Sequence, residues 1–287
     1  MQFPIHFSKM SGTGNDFIII DHRQPIITAK ERSTFARAVC RRSFSVGADG
    51  LILIENSDNA DFKWDFYNAD GSAAEMCGNG ARCAARFAFE RGIAPDSMTF
   101  ETVAGIIEAQ IVGSNVKIRL TAPADIALGQ RVEIDGFEKE IHSLNTGVPH
   151  VVHFVDESLS TPVLEWGRFI RHHELFQPAG TNANFVTLHE HEIHVRTYER
   201  GVENETLACG TGAVAAAIVA ALHGHVSPPV NVRTSGGERL VIHFRLEDAS
   251  PVLESSTAAL DQRISDVYLE GPAHFIYEGE LNEEALV

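Results

Sequence analysis

Two stretches of the chain, Cys77-Gly78-Asn79-Gly80 and Cys209-Gly210-Thr211-Gly212, introduce the same kind of segment. Each runs into residues that favour helix, Ala81 to Glu90 and Ala213 to Leu222. Each run is followed by a glycine, Gly92 or Gly224, where a C-terminal cap belongs. The flanks repeat as well: Tyr67-Asn68 lines up with Tyr198-Glu199, and Asn15-Asp16-Phe17 echoes Ala183-Asn184-Phe185. A repeat of this length is a duplicated domain rather than a solenoid period. The length of 287 residues agrees, because it exceeds what one core needs. Pseudo-twofold symmetry would then set both cysteines in a cleft between two lobes.

The rest of the chain reads as short strands with a few helices between them. Strands are expected at 3–9, 17–21, 51–55, 62–67, 98–102, 105–112 and 115–121, then at 131–134, 139–144, 150–155, 184–189, 191–198, 264–269 and 273–281. Thr28 and Glu31 form a T-x-x-E box ahead of a helix over 29–42, and 163–172 is weakly helical. The expected class is α+β: two pseudo-symmetric lobes, each a mixed, mostly antiparallel β-sheet wrapped around a central helix. Ala122-Pro123-Ala124-Asp125 marks the boundary. The first lobe is 1–122, joined by the final strand at about 271–283, and the second is 123–270, with a Ser/Ala-rich loop around 249–259.

Lys and Arg number 23 against 39 Asp and Glu, for a net charge of −16. Such a surface repels phosphate backbones and anionic lipid, so nucleic acid and membrane are not expected partners, and a small molecule is. The N-terminus has no basic-then-apolar leader, and the longest apolar run is too short to span a bilayer, which points to the cytoplasm. Four cysteines do not make a disulfide framework in a chain this long, and no C-x-x-C spacing suggests zinc. Chemistry or packing remains.

A thiol at a helix N-terminus feels positive potential from unpaired amides, which draws it toward thiolate. The amides of residues 78–80 and 210–212 can also bind a carboxylate and stabilise charge that develops on it. Inverting a carbon beside a carboxylate needs a base on one face and an acid on the other, and two such cysteines supply both. One cysteine at a helix start would be read as packing; a pair within a duplicated unit points to catalysis. Cys40 and Cys83 have no such partner and read as core. No lysine sits in a pyridoxal-phosphate context and no metal-spaced cluster occurs, so no cofactor and no metal are expected.

Four segments carry a family resemblance: Lys9-Met10-Ser11-Gly12-Thr13-Gly14-Asn15-Asp16-Phe17, Asn68-Ala69-Asp70-Gly71-Ser72, Met76-Cys77-Gly78-Asn79-Gly80-Ala81-Arg82-Cys83, and Glu199-Arg200-Gly201-Val202 leading to Ala208-Cys209-Gly210-Thr211-Gly212. Nearly end to end, the chain resembles the diaminopimelate epimerase family, of the cofactor-independent cysteine racemase superfamily. The resemblance implies conversion of LL-2,6-diaminopimelate to the meso isomer, in lysine and peptidoglycan-precursor synthesis, by two lobes that close on substrate. It implies Cys77 and Cys209 as base and acid. Gly78, Asn79, Gly210 and Thr211 would bind the reacting carboxylate, and Asn15, Asn68, Asn182 and Arg200 the distal end, with Glu199 and His150 flanking the reacting centre. Relatives are often dimers, so a homodimer is an expectation.

Each residue also has a plainer reading. Asn15 and Asn68 fall in turns, where Asn serves the backbone. Glu199-Arg200 could be a surface pair and His150 the end of a loop. Val148 stands where some relatives have Asn, and Gly50 where some have Gln, which puts one contact each in doubt. A proline or hydroxyproline racemase is the nearest alternative; an isomerase of the phenazine-biosynthesis type, a thiol redox switch and an amino-acid binding protein are further ones.

Overall fold

A computed structural model describes residues 1–247, 260–261 and 263–286. The loop expected around 249–259 lies outside the described residues. The chain divides into two compact units, Met1–Ile118 with Gly271–Val287, and Arg119–Glu270. The join falls at 118/119, where the sequence pattern pointed to 122–125.

The first unit contains β1 (Ile5–Gly12), β2 (Asn15–Asp21), α1 (Arg32–Val39), β3 (Gly50–Glu55), β4 (Phe62–Asn68), α2 (Gly78–Glu90), β5 (Ser97–Thr102), β6 (Gly105–Val112), β7 (Asn115–Arg119) and the late strand β17 (His274–Leu281). The strands lie side by side in the order β17-β1-β2-β3-β4-β5-β6-β7. Only β2–β3 and β4–β5 are parallel. Both parallel steps are crossovers that carry a helix, α1 in the first and α2 in the second, as parallel pairing requires. Phe17 to Ile20 and Leu51 to Ile54 are buried at every position. Ile18, Ile20, Leu51 and Leu53 pack with Phe35 and Val39 of α1, while α2 covers the opposite face. A sheet covered on both faces reads as continuous apolar runs rather than as alternation.

The second unit contains β8 (Ala124–Ile134), β9 (Phe137–Asn145), β10 (Pro149–Phe154), α3 (Val163–His172), β11 (Asn182–Leu188), β12 (Ile193–Glu199), the short β13 (Asn204–Thr206), α4 (Gly210–Leu222), β14 (Val230–Thr234), β15 (Arg239–Leu246) and β16 (Ile264–Pro272). Its order is β8-β9-β10-β11-β12-β14-β15-β16, with β10–β11 and β12–β14 parallel. Strand for strand and helix for helix this is the topology of the first unit, with β13 added as a short ribbon on β12. From Gly212 to Leu222 every residue of α4 is buried, as its all-round apolar sequence requires of an interior helix.

Several expectations are corrected. The echo of Asn15-Asp16-Phe17 in Ala183-Asn184-Phe185 does not follow the duplication. The parallel pairs Phe17↔Gly50 and His150↔Asn182 match β2 with β10 and β3 with β11. The helix expected over 29–42 begins at Arg32. The Glu31 carboxylate accepts the Thr28 N–H at 3.2 Å, but the Thr28 hydroxyl donates to that same carboxylate at 2.6 Å and caps no helical amide. The box closes a turn ahead of the helix, whose N-cap is Glu31. Residues 11–16 form the ends of β1 and β2, joined by Thr13 and Gly14 with φ of 55° and 89°. Two consecutive positive φ values make the tight turn whose twist suits a hairpin. Cys83 and Cys40 are buried, as expected.

Candidate active site

In the first unit Cys77 is the N-cap of α2, with extended backbone (φ −147°, ψ 117°). The first helical hydrogen bond runs from Ala81 N–H to Cys77 O at 2.8 Å. The amides of Gly78, Asn79 and Gly80 therefore have no acceptor within the helix and form its positive end. Asn79 is buried; its Nδ2 donates to Asn15 Oδ1 at 2.6 Å, and its Oδ1 accepts from Arg82 at 2.8 Å. The Arg82 guanidinium, fully buried on the next turn, also donates to Thr13 Oγ1 at 2.5 Å and to Gly78 O at 3.3 Å. One cation thus fastens the β1–β2 turn to the start of α2. Gly12 makes the approach feasible, since a Cβ there would lie 2.8 Å from Asn79 O.

Asn15 is held from the other side. Its Nδ2 donates to Asp49 Oδ2 at 3.0 Å, and Asp49 accepts from Arg42 at 2.8 Å. Burial pushes the neighbouring Asp16 carboxyl up, but hydrogen bonds and charge from Arg42 and Lys9 outweigh that and bring it down to about 2. It is a carboxylate throughout the neutral range. A pocket of about 410 Å³ opens here, lined by Asn15, Asp49, Phe66, Asn68, Met76 and Cys77 among others. The structure therefore brings Asn15, Asn68 and Cys77 together. Asn68 also serves its own turn, where Nδ2 donates to Ser72 Oγ at 3.0 Å and its carbonyl accepts from Gly71 N–H. A Cβ at Gly50 would meet the Phe66 ring at 2.6 Å and Tyr67 O at 2.8 Å. The glycine follows from this packing, with the Phe66 ring in the space that a side chain at 50 would need. A smaller hollow of about 220 Å³ beside α3, lined by Glu133, Asp135, Glu165, Trp166 and Phe169 among others, holds no cysteine or histidine.

In the second unit Cys209 is the N-cap of α4 (φ −125°, ψ 109°), and Ala213 N–H donates to its carbonyl at 2.9 Å. The amides of Gly210, Thr211 and Gly212 form the equivalent positive end. Thr211 Oγ1 lies 3.6 Å from Cys209 Sγ and 2.9 Å from His150 Nε2. Burial, with a further contribution from Arg200, pulls the His150 pKa down to about 3, so the imidazole is neutral at working pH.

Asn182 is buried and braces the site's edge: Nδ2 donates to Pro149 O at 3.0 Å, and Oδ1 accepts the Arg200 N–H at 2.8 Å. The Arg200 guanidinium donates to Ala179 O. Burial raises the Glu199 pKa, while the Thr206 hydroxyl, donating to Oε2 at 2.9 Å, partly opposes the shift. His150 pairs with Asn182 across β10 and β11, Glu199 follows Tyr198, the β12 partner of Ala183, and Thr211 links His150 to the α4 N-terminus. Among the residues beneath the site that were not singled out from sequence are Asp49, Arg82 and Asn184. Arg82 had a visible signal, a charge among the alanines of α2. Asn184, which sits under α4, had none.

Two small helix N-termini, each preceded by a cysteine on equivalent elements of a duplicated α+β fold, define the class. Solved structures share that fold: a phenazine biosynthesis PhzF-family protein from Bacillus anthracis (TM-score 0.73, 18% identity, 98% of this chain and 100% of that one). Another is a hydroxyproline epimerase from Agrobacterium vitis (TM-score 0.67, 15% identity, 98% and 91%).

Sequence resolves the family within that fold. The diaminopimelate epimerase family model matches residues 7–124 and 142–254. The diaminopimelate epimerase of Aquifex aeolicus is 48% identical, over 98% of this chain and 99% of its own length. That of Archaeoglobus fulgidus is 45% identical, over 81% and 87%. The chain belongs to the diaminopimelate epimerase family.

Proposed function

We propose that the chain interconverts LL- and meso-2,6-diaminopimelate, with Cys77 and Cys209 as the acid–base pair and without a cofactor. The observation that carries this reading is the recurrence of a cysteine as N-cap of the equivalent helix in both units, in a chain of this family.

The α-hydrogen of an amino acid is weakly acidic, so the protein must stabilise the charge that appears on the carboxylate as the C–H bond breaks. Oriented amides at a helix start do this, and they need no reorganisation as the charge develops. One thiolate takes the proton and becomes a thiol. The other thiol delivers its proton to the opposite face and becomes a thiolate. The two swap roles for the reverse direction. Residues 78–79 and 210–211 offer amides to the reacting carboxylate, and Asn15, Asn68, Asn182 and Arg200 hold the distal amino-acid end. An arginine there suits a substrate with a second carboxylate. His150 and Glu199 flank the reacting centre.

We place the reaction in the cytoplasm, in lysine and peptidoglycan-precursor synthesis, and expect a homodimer; among the described residues no helix is long and apolar enough to cross a membrane. The test is turnover of LL-diaminopimelate by reduced protein, followed by chiral chromatography. Meso product should form without added cofactor, and a chelator should leave the rate unchanged. Cys77→Ala and Cys209→Ala should each lower turnover by at least about 10²-fold, the lower end of what positioned acid–base groups contribute. Full turnover in both variants would overturn the assignment.

A further inference from the structure

The polar groups beneath Cys209 fix the direction of a hydrogen-bond chain, and the direction follows from one atom. Val151 O can only accept. It lies 2.8 Å from the Asn184 side-chain nitrogen, so that end of the amide is Nδ2, and the amide orientation is settled. Oδ1 then faces the Thr197 hydroxyl, which donates to it at 2.9 Å. The second hydrogen of Nδ2 points along the 3.2 Å contact to His150 Nδ1. An amide N–H can only donate, so Nδ1 carries the lone pair, and a neutral imidazole must hold its proton on Nε2. Nε2–H donates to Thr211 Oγ1 at 2.9 Å. The hydroxyl hydrogen of Thr211 is left to point at Cys209 Sγ, 3.6 Å away.

We infer that Asn184 is a positioning residue: by fixing the tautomer of His150 it commits the Thr211 hydroxyl to donate to Cys209, which stabilises that sulfur as the thiolate of the resting enzyme. Asn184 bonds to His150, Val151 O and Thr197, and acts through His150 and Thr211. The inference rests on the acid–base role proposed for Cys209 and adds to it which sulfur holds the negative charge, through a residue outside the amino-acid binding set. Burial supports the fixed direction: Asn184 is only 1% exposed and His150 likewise, so water does not offer either an alternative partner. Arg200 is the charged group that bears on His150, and it disfavours the imidazolium that would blur the polarity. Gly212 belongs to the same arrangement. A Cβ there would fall 2.3 Å from Asn184 Oδ1, so the glycine leaves the amide its place under the helix.

The test reads each sulfur separately and needs no turnover. Intact protein is alkylated with iodoacetamide across a pH series, and the rates at Cys209 and Cys77 are followed by peptide mass spectrometry. Thr211→Val should raise the Cys209 midpoint by about one pH unit, the size of a hydrogen bond to a charged group, and leave Cys77 in place. Thr211→Ser should keep the low midpoint. Asn184→Leu should raise it as Thr211→Val does, and the double variant should shift no further, because the chain acts as a unit.

In the unmodified protein, ¹⁵N NMR should show His150 protonated on Nε2 and bare on Nδ1. An unchanged Cys209 midpoint in Thr211→Val overturns the inference, as does a Thr211→Ser shift as large as that of Thr211→Val, additive shifts in the double variant, or a proton on Nδ1. Failure of the acid–base reading would appear instead as undiminished epimerisation in the cysteine variants, which these titrations do not measure.

Discussion

Gly80 and Gly212 occupy the same place, the third residue of α2 and of α4, yet alanine should affect them differently. Either replacement gains about 0.5–1 kcal/mol of helix propensity. At 212 the new Cβ lands 2.3 Å from Asn184 Oδ1 and 3.3 Å from Cys209 Cβ and Sγ. Asn184 cannot retreat, because Val151 O and the Thr197 hydroxyl hold it at 2.8 and 2.9 Å. Overpacking costs about 1–3 kcal/mol and a broken buried hydrogen bond about 1–3 more, so at the middle of each range, less the propensity gain, the net loss is about 3 kcal/mol. At 80 the contacts are Ile52 Cδ1 at 3.3 Å and the Phe17 ring at 3.5 Å, apolar groups that can shift by a few tenths of an ångström. That change should stay within about 1 kcal/mol of neutral. Calorimetry would read the difference, at about 2–4 °C per kcal/mol for a unit of this size. Gly212→Ala should lower Tm by about 6–12 °C and Gly80→Ala by no more than about 4 °C. Equal shifts, or a stabilised Gly212→Ala, would refute the close packing of Asn184 against α4.

Two further predictions concern stability and the first unit. Burial, aided by His223, holds His142 at about 3, below its ordinary 6.5, so the unfolded chain binds more protons between those values. Stability from this group is complete above about pH 6.5 and falls with acidification, by about 2–3 kcal/mol at pH 4.5. His142→Gln, which keeps an acceptor for the Gly129 N–H, should flatten the dependence of the urea midpoint on pH over that range; an unchanged slope would count against it. Arg82→Met should destabilise the chain by about 2–4 kcal/mol, since Thr13, Gly78 O and Asn79 Oδ1 lose a buried donor, and should raise KM by freeing Asn15 and Asn79. Full stability with unchanged KM would show that the guanidinium does not fasten the turn to the helix.

Much of this architecture was readable because the duplication is written in local chemistry. Cys77 and Cys209 with their glycines mark both helix starts, and Gly92 and Gly224, with φ of 65° and 73°, mark both helix ends. Alternation located most strands, and the hairpin of β11 and β12 appeared with nearly its true limits. β14 and β15 were not assigned, although both alternate buried and half-exposed residues around Ser235-Gly236-Gly237. The T-x-x-E box misled because side chains alone do not say whether Thr28 caps an amide or donates to Glu31. The mistaken echo at Asn184 has a similar cause: a three-residue segment identical only at Phe17 and Phe185 carries less information than a strand pairing. Asn15, Asn68 and Cys77 could be named from the sequence, but not the Asp49, Arg82 and Asn184 networks beneath, whose partners lie far away along the chain.

The most direct test of the two-thiol account is the initial reaction of LL-diaminopimelate in D₂O. Each thiol carries one exchangeable hydrogen, so the base that removes protium differs from the acid that delivers solvent deuterium. At early times the meso product should carry one deuterium at the inverted carbon, while the remaining LL substrate stays protiated. Meso product that retains the original protium would mean one group serves both faces, and would contradict the assignment of Cys77 and Cys209.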